Sequence, residues 1–294
     1  VLRARSGGTP KLSRRRTRAA LVVTQVAATL VLLAGAGLFG RSLIAALQLN
    51  PGFDPRMVVT APISLRPLGY ETPRATAFFD QLRERLTPNP AIQSVALMRS
   101  QGGMTPGGQI PIDGEPRQFP SLVSYVAVDD RYFKTIGMPI LRGRDFTSDD
   151  IASSPLVVIV SESFGRMLAK GGDPIGHRIT ETSRRVDQPF AVVEVVGVVP
   201  DVVTDVAVLE PLVIYYSFAQ RSPSTSATLV MRAASDPGVA AGEARSVIRQ
   251  LDPAVTPAPM LTMQERIGQQ MGPQRFGALV LGMLGTIAVL LTIL

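Results

Sequence analysis

The chain reads as an α+β fold: an extracytoplasmic domain made of a split βαβ (ferredoxin-like) part and a β-rich insertion, flanked by two transmembrane helices. Three observations carry this reading. Two uncharged apolar stretches, residues 19–40 and 276–294, bracket the chain. A strand, helix, strand pattern stands near each end of the region between them. Inside those two patterns the sequence changes to short apolar runs separated by Gly and Pro, the signature of strands and turns.

The first stretch, AALVVTQVAATLVLLAGAGLFG, holds 22 residues without a charge, and Gln25 is its only strongly polar side chain. At about 1.5 Å per residue it reaches roughly 33 Å, enough to cross a hydrocarbon layer of roughly 30 Å. A secretory leader has a shorter apolar region, and no small-residue cleavage site follows before Arg41. Arg3, Arg5, Lys11, Arg14, Arg15, Arg16 and Arg18 precede the stretch with no Asp or Glu among them. Basic flanks stay in the cytoplasm, so residues 1–18 form a basic cytoplasmic segment, 19–41 the first transmembrane helix, and Arg41 lies outside. The second stretch, FGALVLGMLGTIAVLLTIL, makes residues 274–294 a second, truncated span. With Val as residue 1 and a span running to Leu294, the expectation is a longer protein.

Composition agrees with this partition. The chain has 30 Lys and Arg against 23 Asp and Glu, and without the seven basic residues of the leader the balance is 23 against 23. The basic character belongs to a short tail that lacks aromatics, so a membrane flank is expected and a nucleic-acid surface is not. Cysteine is absent, which excludes a disulfide framework and a thiolate metal site. Residues 42–271 therefore have to fold on an apolar core, and they are numerous enough to build one.

In chain order, residues 42–49 (SLIAALQL) extend the first helix as a stalk until Asn50, Pro51 and Gly52 end it. Residues 57–65 alternate as a strand with Val59, Ala61, Ile63 and Leu65 on one side, and Pro62 marks an edge or a bulge. Residues 73–86 have helical period, Ala75, Phe78, Phe79, Leu82 and Leu86 sharing a face opposite Arg74, Asp80, Arg83 and Glu84. A strand over 92–98 completes a crossover unit. The second unit has a strand at 228–232, an N-cap and first-turn proline at Asp236 and Pro237, a helix with Ala240, Ala244, Val247, Ile248 and Leu251 inward, and a strand at 254–260. The two units, about 55–100 and 225–262, form one sheet with their helices on one face.

The insertion, about 101–224, opens with the Gly- and Pro-rich GGMTPGGQIP, read as a mobile loop or hairpin tip. Strands are expected at 122–128, 156–160, 191–199 and 212–218. Short helices are expected over 130–136, closed by Gly137, and from Ser161 through Leu168, closed by Gly171 and Gly172. Thr262 and Glu265 have capping-box spacing and open a helix towards the second span, with Gly272 and Pro273 breaking it. Ala36 and Gly40, and Ala278 and Gly282, stand four apart, a spacing that permits close helix approach in lipid.

Several of these segments carry a resemblance. Residues 132–150 (YFKTIGMPILRGRDFTSDD), 157–168 (VVIVSESFGRML), 173–179 (DPIGHRI) and 195–202 (VVGVVPDV) resemble, in this order, the extracytoplasmic core domain of MacB/FtsX-type ABC transporter permeases. The flanks, residues 19–43 with NPGFDP at 50–55, and RFGALVLGMLGTIAVLL at 275–291, are similar to the first two spans of one permease unit, most like the second half of the large duplicated permeases. The resemblance implies a multi-pass protein of the cell (inner) membrane, with four spans and a periplasmic domain between the first and second. It also implies a second permease unit, as a homodimer or within one chain. A separate cytoplasmic ABC ATPase would hydrolyse ATP and move the outer domain for export or mechanotransmission.

Few residues carry chemistry. No Walker A sequence is present, so the chain is not expected to hydrolyse nucleotide. His177 is the only histidine and, without cysteine, does not make a usual zinc site; a surface or turn position is expected. Asp129 with Asp130 and Asp149 with Asp150 are adjacent pairs at helix or turn starts, which points to capping rather than acid–base work. Ser161 and Ser163 lack the glycines of a nucleophile elbow, and Arg142, Gly143 and Arg144 read as a turn with ion pairs. No catalytic, cofactor-binding or metal-binding residue is assigned, no cofactor is expected, and the chain is not expected to be an enzyme. The expected function is a permease subunit; the alternative is a membrane-anchored sensory receptor with an extracytoplasmic ligand-binding domain.

Overall fold

The computed structural model describes residues 55–104, 109–119, 123–180, 191–201, 212–220 and 224–270, together with positions 23, 26, 27, 30, 31, 34, 35, 37 and 283. The scattered positions are helical. The basic leader, the stalk, the Gly272–Pro273 break, the paired small residues and the greater part of both expected spans lie outside the described residues. Among the described residues no helix is long and apolar enough to cross a membrane. The chain divides into two compact units, Val1–Leu49 with Gln269–Leu294, and Asn50–Gly268.

The second unit is α+β and is built on one mixed sheet. Its elements are β1 (Val58–Ser64), α1 (Thr72–Leu86), β2 (Ile92–Met104), β3 (Gln109–Ile112), β4 (Glu115–Gln118), β5 (Val123–Val128), α2 (Tyr132–Ile136), β6 (Arg142–Gly143), β7 (Val157–Ser161), α3 (Glu162–Ala169), β8 (Arg178–Thr180), β9 (Val192–Val199), β10 (Leu212–Ser217), β11 (Ser226–Ala233), α4 (Pro237–Leu251), β12 (Leu261–Thr262) and α5 (Met263–Gln270), with a 3-10 turn at Arg66–Leu68. The strands lie in the order β12, β1, β11, β2, β5, β10, β7, β9, β8, β3, β4, with β6 also on β9.

The first four strands of that path form the split unit. β11 is antiparallel to both β1 and β2, so the strands joined by α1 are parallel with β11 between them. β12 is antiparallel to β1, so the strands joined by α4 straddle β1 in the same way. The period-2 pattern of β1 explains its placement: Val59, Ala61, Ile63 and Leu65 face a core with α1 and α4, while Val58 faces the opposite side. The helical faces are the ones the sequence marks, with Ala75, Phe78, Phe79, Leu82 and Leu86 buried on α1 and Ala240, Ala241, Ala244 and Ile248 on α4. Asp236 caps α4, its carboxylate accepting from the Gly238 N–H at 2.7 Å.

One local expectation of this unit needs correction. The strand expected at 254–260 does not form. Pro257 and Pro259 cannot donate to a ladder, so the segment makes one backbone bond to the sheet there, Ala258 N–H to the Pro62 carbonyl at 3.1 Å, and pairing is confined to Leu261 and Thr262. Pro62 lies at a local edge, as expected, because β12 pairs with β1 only at Val59 and Thr60. Its carbonyl faces the 254–260 segment, and its nitrogen points the same way, beyond the end of β12, where no donor is required. The helices of the two units lie on one face, as expected, and α2 from the insertion packs Phe133 and Ile136 over Val58, Ala96 and Val230 on the other.

The insertion continues the same sheet. β2 pairs with β11 through Met98 and then with β5 through Met104, its register shifting between Ser100 and Gly103. β10 lies parallel to β5 and antiparallel to β7, and β7 lies parallel to β9. Of the Gly- and Pro-rich stretch, 102–104 end β2 and 109–111 open the β3–β4 hairpin, whose Asp113 and Gly114 both have positive φ, 51° and 85°, while 105–108 lie outside the described residues. Asp-Gly suits such a tight two-residue turn. α3 covers the far part of the sheet, with Phe164 stacked on Phe119 at 5.1 Å between ring centroids. It ends at Lys170, in the left-handed region at φ 50°, one residue before the expected glycines. β6 crosses β9 so closely that side chains at Gly143 and Gly197 would run into the carbonyl oxygens of Val196 and Arg144.

Candidate functional site

The structure scatters the chemistry-bearing residues and gives each a local partner. His177 Nδ1 lies 2.6 Å from Asp113 Oδ2, and the other Asp113 oxygen accepts from the Arg178 N–H at 2.9 Å, which pins the β3–β4 turn to β8. The Arg178 N–H, then the His177 ring, hold the Asp113 carboxyl below its ordinary range. Ser161 Oγ accepts from the Val213 N–H at 3.0 Å, joining β7 to β10. Ser163 donates both its N–H, at 2.8 Å, and its hydroxyl, at 2.5 Å, to Asp201, so a carboxylate from beyond β9 caps α3. Among the described residues no group of three or more His, Cys, Asp or Glu side chains gathers as a metal site.

The two Asp pairs divide in the same manner. Asp150 is 5 % exposed and takes a two-point bond from Arg144, 2.8 and 2.9 Å, and a third from the Thr147 N–H. Burial pushes its carboxyl upward, but Arg144 and Thr147 together hold it below the usual carboxylate range. Asp149, its neighbour, is exposed. Asp129 is 7 % exposed; one oxygen accepts from the N–H of Arg131, itself the N-cap residue of α2, so Asp129 orders the turn before that helix and does not cap it, and the other accepts from the Leu97 N–H on β2 at 2.8 Å. Burial raises its pKa to about 7, against the Leu97 N–H and the Arg83 guanidinium 3.7 Å away. The link to Leu97 has no local sequence signal, because its partners are 32 residues apart.

Asp129 lines a cleft of about 360 Å³ between α1 and the insertion, together with Phe79, Asp80, Arg83, Thr147 and Phe218 among others. A wider open groove of about 650 Å³ runs over Pro62, Ser64, Leu68, Thr228 and Thr256.

A third feature concerns chain geometry. The strand that enters the domain, β1, and the short strand that leaves it, β12, are paired neighbours, Val59 opposite Thr262 and Thr60 opposite Leu261. The Gln264 N–H adds a bond to the Pro55 carbonyl at 3.3 Å. The Thr262 and Glu265 capping box forms as the spacing predicts, Glu265 N–H to Thr262 Oγ1 at 3.1 Å and Thr262 N–H to the Glu265 carboxylate at 2.8 Å. Both connections of the domain therefore issue from one corner of its sheet.

Comparison with known proteins adds to this geometry. Residues 20–251 match the MacB-like periplasmic core domain family. No curated sequence matches the chain. The periplasmic region of MacB from Actinobacillus actinomycetemcomitans superposes with a TM-score of 0.52 at 16 % identity, covering 77 % of this chain and 97 % of that one. The extracellular domain of the noncanonic ABC-type transporter YknZ from Gram-positive bacteria gives 0.43 at 13 % identity, covering 68 % and 100 %. The first of these likenesses is one of fold.

Proposed function

Because the chain belongs to the MacB-like periplasmic core domain family, we propose that it is a permease subunit of an ABC transporter of the MacB/FtsX type. In this reading a separate cytoplasmic ATPase hydrolyses ATP, a second permease unit completes the assembly, and the outer domain, on the periplasmic side of the inner membrane, moves without making or breaking bonds itself. The observation that carries the reading is the shared corner: β1 and β12 are hydrogen-bonded to each other, so displacements of the two connecting segments reach the same edge of the sheet. A domain built to catalyse has no need of that arrangement; a domain built to be pushed does.

These 294 residues lack cysteine, so once any cysteine elsewhere in the full-length protein is replaced, one introduced residue reports cleanly. Val239, 52 % exposed on α4, is a suitable position. In cells carrying the full-length V239C permease and its ATPase, a membrane-impermeant maleimide is expected to label the domain from outside once the outer layer is opened. A fluorophore at that cysteine is expected to respond to ATP only when the ATPase is catalytically competent. Labelling from the cytosol alone overturns the topology, and a response to an external ligand that ignores the ATPase favours the receptor alternative.

A further inference from the structure

We propose that Arg266 is a positioning residue that locks the outgoing helix α5 to the incoming strand β1, so that the two connections drive the sheet as one body. The proposal rests on the permease reading above and names the residue through which that corner couples. β12 is only two residues long, and a ladder of that length is a weak tie against a pull along the chain. Arg266 supplements it from the first turn of α5. Its Nε donates to Thr60 Oγ1 at 2.7 Å and its Nη2 approaches the Thr60 carbonyl oxygen at 3.4 Å. Thr60 is 1 % exposed, and its hydroxyl donates in turn to the Leu261 carbonyl at 3.3 Å. A guanidinium, a buried hydroxyl and a strand-end carbonyl thus form a continuous chain of bonds from α5 through β1 to β12.

The chemistry of this tie differs from that of the core around it. Apolar side chains at such a joint would bury area yet let the helix slide, whereas a bond from a guanidinium has a fixed length and direction. The capping box between Thr262 and Glu265 stiffens the joint on the other side, since it sets the angle at which α5 leaves β12. Thr60 therefore has two roles, sheet residue and receiver. Its neighbour on the same face, Val58, has only the first, packing under α2.

The test uses the full-length permease with its ATPase in membranes and compares wild type with R266A, R266K, T60V and T60S. Amide exchange at residues 58–62 and 261–266 is expected to quicken about tenfold in R266A, the effect of losing one bond to a charged group. Exchange in the α1 and α4 core is expected to stay as in wild type. ATP turnover is expected to persist while ATP-driven movement of a fluorophore at residue 239 falls about tenfold per ATP hydrolysed. T60V should follow R266A, and R266K and T60S, which keep a donor and a hydroxyl, should restore most of the movement. Wild-type exchange and movement in R266A overturn the proposal, as does quickened exchange throughout the core, which makes Arg266 a merely structural residue. A wild-type protein whose domain ignores ATP while R266A still loosens the corner overturns the permease reading and with it the coupling role.

Discussion

In the half formed by β12, β1, β11 and β2, two amphipathic helices seal one face of the sheet, and Phe78, Phe79, Leu82, Leu86, Ala240, Ala244 and Ile248 fill the space beneath them. In the inserted half, two short helices cover the sheet, α2 setting Phe133 against Tyr215 and α3 setting Phe164 against Phe119, and the loops are fastened by polar pairs: Arg144 with Asp150, Ser163 with Asp201, and His177 with Asp113. The first half derives its shape from burial, which is non-directional and tolerant of small shifts. The second is buried on its own apolar core, and its loops are held in addition by contacts of fixed geometry that span 6 residues for Arg144–Asp150, 38 for Ser163–Asp201 and 64 for Asp113–His177. The contrast suits a domain in which one part is a stiff body and the other carries loops that must keep their places.

The comparison can be broken most forcefully in the helical half. Phe79→Ala removes a 2 % exposed ring set edge-on to Phe78, and is expected to lower stability by about 3–5 kcal/mol, read as the fall in the denaturant midpoint. A loss below about 1 kcal/mol would mean that burial under α1 is not what holds that half together.

The boundary between the halves is expected to respond to pH. The Asp129 carboxyl, at about 7 in the folded chain, lies above its ordinary 3.8 because of burial. Between those values the folded state binds more protons than the unfolded one, so stability falls as pH rises from about 4 to 7 and is regained on acidification. Asp145, raised by burial to about 6, adds a change of the same sign. The combined effect is on the order of a few kcal/mol, and denaturation of D129N at pH 5 and pH 7.5 should show a smaller difference than wild type.

In the inserted half the Arg144–Asp150 fork is the strongest fastener. Asp150 is buried but Arg144 is nearly half exposed, so Asp150→Ala is expected to cost about 2 kcal/mol, less than breaking a wholly buried pair. Stability contributed by Asp150 is present above the ordinary carboxylate range and is lost as pH falls through its lowered folded value, opposite in sign to Asp129. The smallest effect is expected for His177→Ala. It frees one oxygen of Asp113 while the Arg178 N–H still holds the other, so about 0.5 kcal/mol is expected, with faster proteolysis confined to the β3–β4 turn.

This division also explains what the sequence made legible. The faces of α1 and α4, the Asp236 cap and the Thr262–Glu265 box all follow from spacing within a few residues, and the structure has them as the spacing predicts. The strand expected at 254–260 failed because its apolar pattern was weighed above Pro257 and Pro259. The β3–β4 hairpin was readable in outline from Asp113–Gly114, although its flanks are too short and too polar to alternate clearly. The Asp129 link to Leu97, the Asp201 cap on α3 and the Arg266 contact with Thr60 span 32, 38 and 206 residues, and no local pattern announces a contact of that range.

β2 has a consequence for mechanics. Its 13 residues run as one strand from the helical half into the inserted half, a length of about 43 Å at about 3.3 Å per residue, with register shifts against β11 between Arg232 and Ala233 and against β5 between Ser100 and Gly103. It acts as a beam shared by the two halves, so a tilt imposed at one end is passed towards the other. The register shift between Ser100 and Gly103 is the point along that beam where flexure, and any engineered change in its stiffness, would concentrate.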